Sequence, residues 1–129
     1  MPLARISVPA HLPREKARAL ADAVHQGLVA TCGVPEKDRF QLITRFGPEA
    51  MVMDPVFPDV RRTADACIVE ILFLGGRSDD QKRTLYRHVA RTAVLAGFSA
   101  DDIMIALAEN SPIDWSLGRG EAYTGHPDS

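Results

Sequence analysis

Apolar and polar residues alternate from Leu3 to Val8, which is typical of a β-strand with Pro2 at its first position. Other segments carry either a short apolar run, typical of a strand, or apolar residues at helical spacing. The predicted strands are Leu3–Val8, Phe40–Phe46, Ala66–Leu74 and Ile103–Ala108, and the predicted helices run from Pro13 to Thr31 and from Ser78 to Ala96.

Turn and cap residues bound these elements. Gly33 and Gly97 follow the last apolar position of each helix, where a left-handed glycine commonly ends a helix. Ser78 and Gln81 form a capping box that begins the second helix. The connection from Gly47 to Asp65 is long and proline-rich, and we expect either a function or disorder there. Two further short strands are predicted, at 50–53 and 121–124.

The element order is β-α-β followed by a second β-α-β, and the two halves match at an offset of 64 residues. Gly33 to Asp38 corresponds to Gly97 to Asp102, and Pro2 corresponds to Ala66. A duplication of this kind predicts an α/β fold with a four-stranded, mainly parallel or mixed sheet and two helices on one face. The third strand is apolar almost throughout, so we expect the uncovered sheet face to pack against other subunits.

The length of 129 residues predicts one domain, 1–129, with repeat halves at about 2–46 and 66–109 and a tail at 110–129. The net charge of −2 provides no basic field for nucleic acid. We expect Cys32 and Cys67 to be reduced core thiols in a cytoplasmic protein. No apolar run approaches 20 residues, so we expect neither export nor a membrane partner.

The histidines have no metal-ligand spacing, and the glycines lack the flanking sequence of a phosphate-binding loop. We therefore predict no metal and no cofactor. His25 and His88 fall in mid-helix and are predicted to be surface or interface residues. The four histidines are His11, His25, His88 and His126.

Pro2 follows the initiator methionine, and a small second residue favours removal of Met1. Removal would leave a secondary amine, which is a base when neutral and an acid or electrophilic catalyst when protonated. The alternative is that Pro2 only promotes processing. While Met1 is attached, the Pro2 nitrogen is an amide without catalytic use.

Four segments together resemble the tautomerase superfamily, and within it the malonate semialdehyde decarboxylase group. The last of them is the most specific, because Asp-Trp-Ser before a Gly-x-Gly turn is not a generic loop. The segments are Met1–Leu3, Gly33–Gln41, Gly76–Lys82 and Glu109–Gly120.

The resemblance implies a tautomerase-like fold that assembles as a homotrimeric barrel and acts on a small oxo-acid. It implies that Pro2 and Asp38 are catalytic and that Arg77 holds the substrate carboxylate. The substrate-binding residues would be Arg77, Trp115, Leu117 and Tyr123. The chain has Gly75 where a related decarboxylase has a second arginine, and Leu117 where relatives carry phenylalanine.

The expected reaction is decarboxylation of a 3-oxo acid such as malonate semialdehyde. The alternatives are keto–enol tautomerisation of the phenylpyruvate type with Pro2 as base, related hydratase or dehalogenase chemistry, or a binding module without catalysis. The individual residues also have structural alternatives. Asp38 would cap a turn, Arg77 would be solvated, Trp115 would lie in a core or interface, and Arg39 and Arg119 would be structural or rim charges.

Overall fold

The structure is a computed structural model that describes residues 1–125. The predicted helices and the four main strands are all present, with ends shifted by at most two residues. The strands are β1 (Pro2–Pro9), β2 (Gln41–Phe46), β3 (Cys67–Leu74) and β4 (Ile103–Asn110), and the helices are α1 (Arg14–Cys32) and α2 (Asp79–Leu95).

The four strands form one mixed sheet in the order β2-β1-β3-β4. Each repeat half supplies a parallel pair, β1 with β2 and β3 with β4, as the crossover helices require. The two halves join through an antiparallel pairing of β1 with β3, in which Pro2 lies opposite Phe73. The amino end of β1 therefore lies beside the carboxyl end of β3, at the same edge of the sheet as the carboxyl end of β4.

The helix ends have the predicted chemistry. Gly33 ends α1 in the left-handed conformation at φ 69°, and its N–H donates to the Leu28 carbonyl. The Ser78 side chain accepts from the Gln81 N–H, while the Gln81 side chain accepts from the Ser78 N–H. Both buried cysteines are free thiols, as predicted. Gly33 therefore marks the start of the loop after α1, and the Ser78–Gln81 capping box marks the start of α2.

The hydrophobic core lies between one sheet face and both helices, which confirms the predicted arrangement. Alternate residues of β1 and β3 enter this core and pack against α1 and α2. The opposite face is partly exposed, and Arg5 and Glu70 are register partners across β1 and β3 on this largely apolar surface. The buried sheet residues on the helix side are Ala4, Ile6, Val8, Cys67, Val69, Ile71 and Phe73.

The predicted short strands at 50–53 and 121–124 are wrong, because neither segment pairs with a strand of the described chain. Side-chain hydrogen bonds order the long connection instead. Asp54 accepts from the N–H groups of Val56 and Phe57. Asp102, which is 2% exposed, accepts from the Thr63 N–H at 2.7 Å and from the Thr63 hydroxyl at 2.6 Å. In the other segment, the Tyr123 N–H donates to the Trp115 carbonyl.

No helix in residues 1–125 is long and apolar enough to cross a membrane.

Candidate active site

The amino terminus lies against Asp38. The α-amine of Met1, present here as the primary ammonium, is 3.1 Å from Asp38 Oδ2, and the two side chains are only 6% and 10% exposed. Asp38 Oδ1 is buried and has no hydrogen-bond partner among the described residues. A buried carboxylate oxygen without a partner is available to accept a hydrogen bond from a ligand.

Three contacts fix the loop that carries Asp38. The Asp38 N–H donates to the Pro35 carbonyl at 3.0 Å, and the Ala4 N–H of β1 donates to the Phe40 carbonyl at 3.0 Å. The His25 imidazole of α1 bonds the Glu36 carbonyl through Nε2 at 2.8 Å. The loop is therefore held to both β1 and α1, which positions the carboxylate.

The prediction that His25 lies at the surface or an interface is wrong. His25 is 3% exposed within the chain itself. Its position on α1 faces the loop that follows the helix, and the imidazole is buried because it bonds that loop's backbone. Helical spacing alone did not reveal this, since the partner is a backbone carbonyl eleven residues later.

Arg77 lies at the same corner of the sheet. Its guanidinium carbon is 5.2 Å from the centroid of the Phe73 ring, and Phe73 is the register partner of Pro2. The guanidinium donates to the Cys32 carbonyl at the end of α1, through Nε at 3.3 Å and Nη2 at 3.1 Å, and to the Leu74 carbonyl at 2.8 Å. These three bonds use three of its five N–H groups. The sequence left open that Arg77 is a solvated turn residue, but a side chain held by three hydrogen bonds does not fit that alternative.

The remaining predicted site residues follow the end of β4. Trp115 is half-buried, and its indole N–H donates to Asn110 Oδ1 at 2.7 Å. Leu117 is 49% exposed and Tyr123 is half-buried. The structure thus brings Pro2, Asp38 and Arg77 to one corner of the sheet. Trp115, Leu117 and Tyr123 lie in the segment that follows β4, the outer strand, at the same end of the sheet.

The structure adds an ion pair that sequence reasoning missed. Glu109 of β4 accepts from Lys82 Nζ of α2 at 2.5 Å and from the Gly76 N–H at 3.2 Å. The Lys82 hydrogen bond holds the pKa of Glu109 below its usual value, and Glu109 raises the pKa of Lys82. The sequence carried no clear signal, because only the β3–β4 register sets Glu109 beside Phe73.

Arg39 is a structural residue in the single chain. Its guanidinium donates to Asp22 at 2.6 Å and to Gln41 Oε1 at 2.9 Å. Arg119 has a positive φ of 61° in the turn after Leu117.

A cavity of about 690 Å³ lies at the opposite end of the sheet and contains none of the predicted site residues. Its lining is largely apolar. It includes Pro9, His11, Phe46, Met51, Met53 and Ala66.

Within residues 1–125, no group of three or more histidine, cysteine, aspartate or glutamate side chains is arranged to hold a metal ion. His126, one of the histidines considered from the sequence, lies outside the described residues.

Comparison with known proteins identifies the family. Two family models described as tautomerase enzyme match residues 38–118 and residues 2–61. The probable tautomerase YusQ of Bacillus subtilis (strain 168) is 31% identical over 123 residues, which cover 95% of this chain and 97% of the relative. This chain belongs to the tautomerase family. The probable tautomerase YrdN of the same organism is 27% identical over 123 residues, covering 95% of each chain.

Solved tautomerase-fold structures agree with this membership. A malonate semialdehyde decarboxylase inhibited by 3-bromopropiolate is 32% identical, with a TM-score of 0.87 over 92% of this chain and 91% of that one. A second malonate semialdehyde decarboxylase, with decarboxylase and hydratase activities, is 30% identical, with a TM-score of 0.85 over 92% of each chain. A fused 4-OT that forms a symmetric trimer has a TM-score of 0.75 at 15% identity, over 93% of this chain and 94% of that one, and shows the fold alone. The predicted family, tautomerase-like fold and enzymatic nature are confirmed.

Proposed function

We propose that this tautomerase-family enzyme, once Met1 is removed, decarboxylates a small 3-oxo acid such as malonate semialdehyde. The observation that carries the proposal is the buried approach of the terminal amine to Asp38, at 3.1 Å, in the corner that also holds Arg77. The 30–32% identity to two malonate semialdehyde decarboxylases supports the same reaction.

Removal of Met1 changes this corner in two ways. The Met1 residue is only 5% exposed, so its loss frees a buried space beside Asp38 for a substrate. The new terminal amine belongs to Pro2, about 3.8 Å further along the chain by the spacing of adjacent Cα atoms. The Asp38 carboxylate and the Pro2 amine then border the space that Met1 occupied.

The charges suit decarboxylation. A free α-amine titrates near pH 8 (~7.7–8.0) and a secondary amine is more basic. A neighbouring carboxylate favours the cationic form of Pro2 and a neighbouring guanidinium opposes it, and the proposed decarboxylation uses the cation. Arg77 binds the substrate carboxylate, and the Pro2 cation hydrogen-bonds the aldehyde oxygen. The bond from C2 to the carboxylate carbon breaks and its electron pair moves to that oxygen, giving CO₂ and an enolate that the cation stabilises. Protonation of C2 then yields acetaldehyde.

Trp115, Leu117 and Tyr123 complete the substrate-binding residues of the proposal. In a homotrimer, the segment after β4 and the exposed sheet face would meet neighbouring subunits. The partly exposed apolar surface of the sheet supports such an assembly. We further propose that the enzyme works in the cytoplasm on a free small molecule, without a nucleic-acid or membrane partner and without a cofactor.

Keto–enol tautomerisation is the second candidate, and the probable tautomerases among the relatives favour it. In that reaction a neutral Pro2 accepts the enol hydroxyl proton of a substrate such as phenylenolpyruvate, and the protonated amine returns a proton to C3 to give the ketone. Hydratase chemistry is a related possibility, since one similar decarboxylase also has that activity.

The deciding experiment compares two variants that differ in methionine removal. Pro2→Ala keeps a small second residue and a free amine, whereas Pro2→Leu retains Met1 because bulky second residues block its removal. We expect the Leu variant to lose at least about 100-fold in kcat/KM relative to the Ala variant, since a positioned acid–base group contributes about 10²–10⁴-fold. The measurements are CO₂ release from malonate semialdehyde, ketonisation of phenylenolpyruvate and intact mass.

The pH dependence separates the two reactions. Decarboxylation needs protonated Pro2, so its rate should fall as pH rises through the Pro2 pKa, whereas tautomerisation needs neutral Pro2 and should rise over the same range. A Leu variant as active as wild type would exclude both mechanisms. A wild-type mass that retains the methionine would favour a binding module.

A further inference from the structure

Three charged side chains surround the turn formed by Gly75 and Gly76. Glu109 lies between Lys82, which donates to its Oε1, and the Gly76 N–H, which donates to its Oε2. Arg77 is near enough for its charge to help lower the pKa of Glu109. We call Arg77, Lys82 and Glu109 the charge cluster. Its two cations and one anion carry a net charge of +1.

The charge cluster lies within reach of a substrate at the amino terminus. Pro2 is the register partner of Phe73, and Phe73 is the register partner of Glu109, so the three residues form one row across the sheet. Two strand spacings separate Pro2 from Glu109, about 10 Å. Arg77 lies over the Phe73 ring in the middle of this row. A short acid that reaches from Pro2 to Arg77 therefore points towards Glu109.

The Glu109 carboxylate also lies close to Gly75. A Cβ at Gly75 would lie 3.2 Å from Glu109 Oε2 and 3.7 Å from the Asn110 carbonyl oxygen. A side chain there would require the carboxylate to shift slightly. The Glu109 carboxylate, which is paired with Lys82, therefore borders the space next to position 75.

We propose that Glu109 selects substrates by their charge, so that monocarboxylates bind and dicarboxylates are rejected. This rests on the proposed function, because it takes the substrate carboxylate to bind Arg77. One carboxylate neutralises the net charge of the cluster. A second carboxylate further along the same molecule meets Glu109, and the repulsion between like charges weakens binding.

The test measures binding of two unreactive three-carbon acids, 3-hydroxypropanoate and malonate, by calorimetry at low salt. Wild type should prefer the monocarboxylate. Glu109→Gln still accepts from the Gly76 N–H but loses the charge, so the ratio of the two dissociation constants should shift about tenfold towards malonate. Glu109→Asp, which keeps the charge, should retain most of the wild-type preference.

Asp80→Asn is the matched control. Asp80 is 92% exposed on the same helix as Lys82, and its substitution removes the same unit of charge as Glu109→Gln. Its ratio should equal that of wild type. Should Glu109→Gln fail to fold, Lys82→Gln supplies the test, since it lowers the cluster charge to zero and should weaken the monocarboxylate about tenfold. Lys82→Arg should restore that binding.

An unchanged ratio in Glu109→Gln, an equal shift in Asp80→Asn, or no binding of either acid to wild type would overturn the proposal. Turnover provides a separate measurement, with malonate semialdehyde as the monoanion and oxaloacetate as a dianionic 3-oxo acid. The Gln variant should gain about tenfold in relative kcat/KM for oxaloacetate. If wild type decarboxylates neither acid, the proposed function fails. The ratio of the two dissociation constants still tests the role of Glu109.

Discussion

Two aspartates at equivalent positions of the duplicated halves have different roles. Asp38 and Asp102 are 64 residues apart, each preceding the strand that follows a helix. Asp102 is fully engaged by the Thr63 N–H and hydroxyl. Asp38 faces the terminal amine and keeps one oxygen free among the described residues. The surroundings, and not the residue type, make one structural and the other a candidate catalyst.

Alanine substitution at the two positions should separate these roles. Asp102→Ala leaves the Thr63 N–H without its partner, so it should lower the free energy of unfolding by about 1–3 kcal/mol. Asp38→Ala should lower kcat/KM by about 10²–10⁴-fold with a smaller effect on stability. Urea denaturation and steady-state kinetics on both variants provide the measurements. A stable, active Asp38→Ala would remove this carboxylate from the mechanism.

At the scale of elements, the packing of α1 against α2 sets the position of Arg77 at the site. A Cβ on Gly27 of α1 would lie 3.0 Å from Val89 Cγ2 and 3.1 Å from Leu85 Cδ1 of α2, so the helices meet closely at this glycine. The last residue of α1, Cys32, accepts the Arg77 hydrogen bonds through its carbonyl. Displacing α1 therefore moves Arg77.

Gly27→Leu should push the helices apart. Overpacking of a close contact costs about 1–3 kcal/mol, so thermal unfolding should occur at a lower temperature. The KM for the oxo-acid should rise because the Arg77 support shifts. Ala30→Leu, at an exposed position of the same helix, is the control and should change neither property. Equal effects of the two substitutions would argue against the close helix contact.

At the scale of the whole molecule, residues 1–125 of the single chain leave one face of the sheet uncovered. Leu72 and its neighbours on this face are partly exposed, and a shallow cavity of about 370 Å³ runs across it. The cavity is lined by Leu3, Arg5, Glu70, Ile71, Leu72, Ala106, Leu107 and Ala108. The proposed homotrimer would bury this surface, as closed assemblies of sheets do.

Leu72→Asp should convert the proposed trimer to smaller species, because a buried unpaired carboxylate in an apolar interface is strongly unfavourable. Leu95→Asp, at a residue that is 85% exposed at the end of α2, should keep the wild-type mass. Sedimentation velocity measures both. A wild type that sediments as a monomer would contradict the proposed assembly.

Sequence reasoning failed at particular residues for a common reason. The segment at 50–53 has strand-forming residues but no partner strand in the described chain. His25 is buried by a backbone carbonyl of the following loop, and the pairing of Glu109 with Lys82 depends on how α2 lies on β4. Each outcome depends on a neighbour that is distant along the chain or lies outside the local pattern.

The sequence by itself determined the helices, the main strands and their caps, because these depend on residues within one or two turns of each other. It also indicated the family, through the resemblance of four short segments to the tautomerase superfamily. Only the tertiary structure decided how the two halves join. Antiparallel pairing of β1 with β3 is a long-range choice, and it is this pairing that sets the Pro2 end of β1 beside Phe73, Arg77 and Glu109.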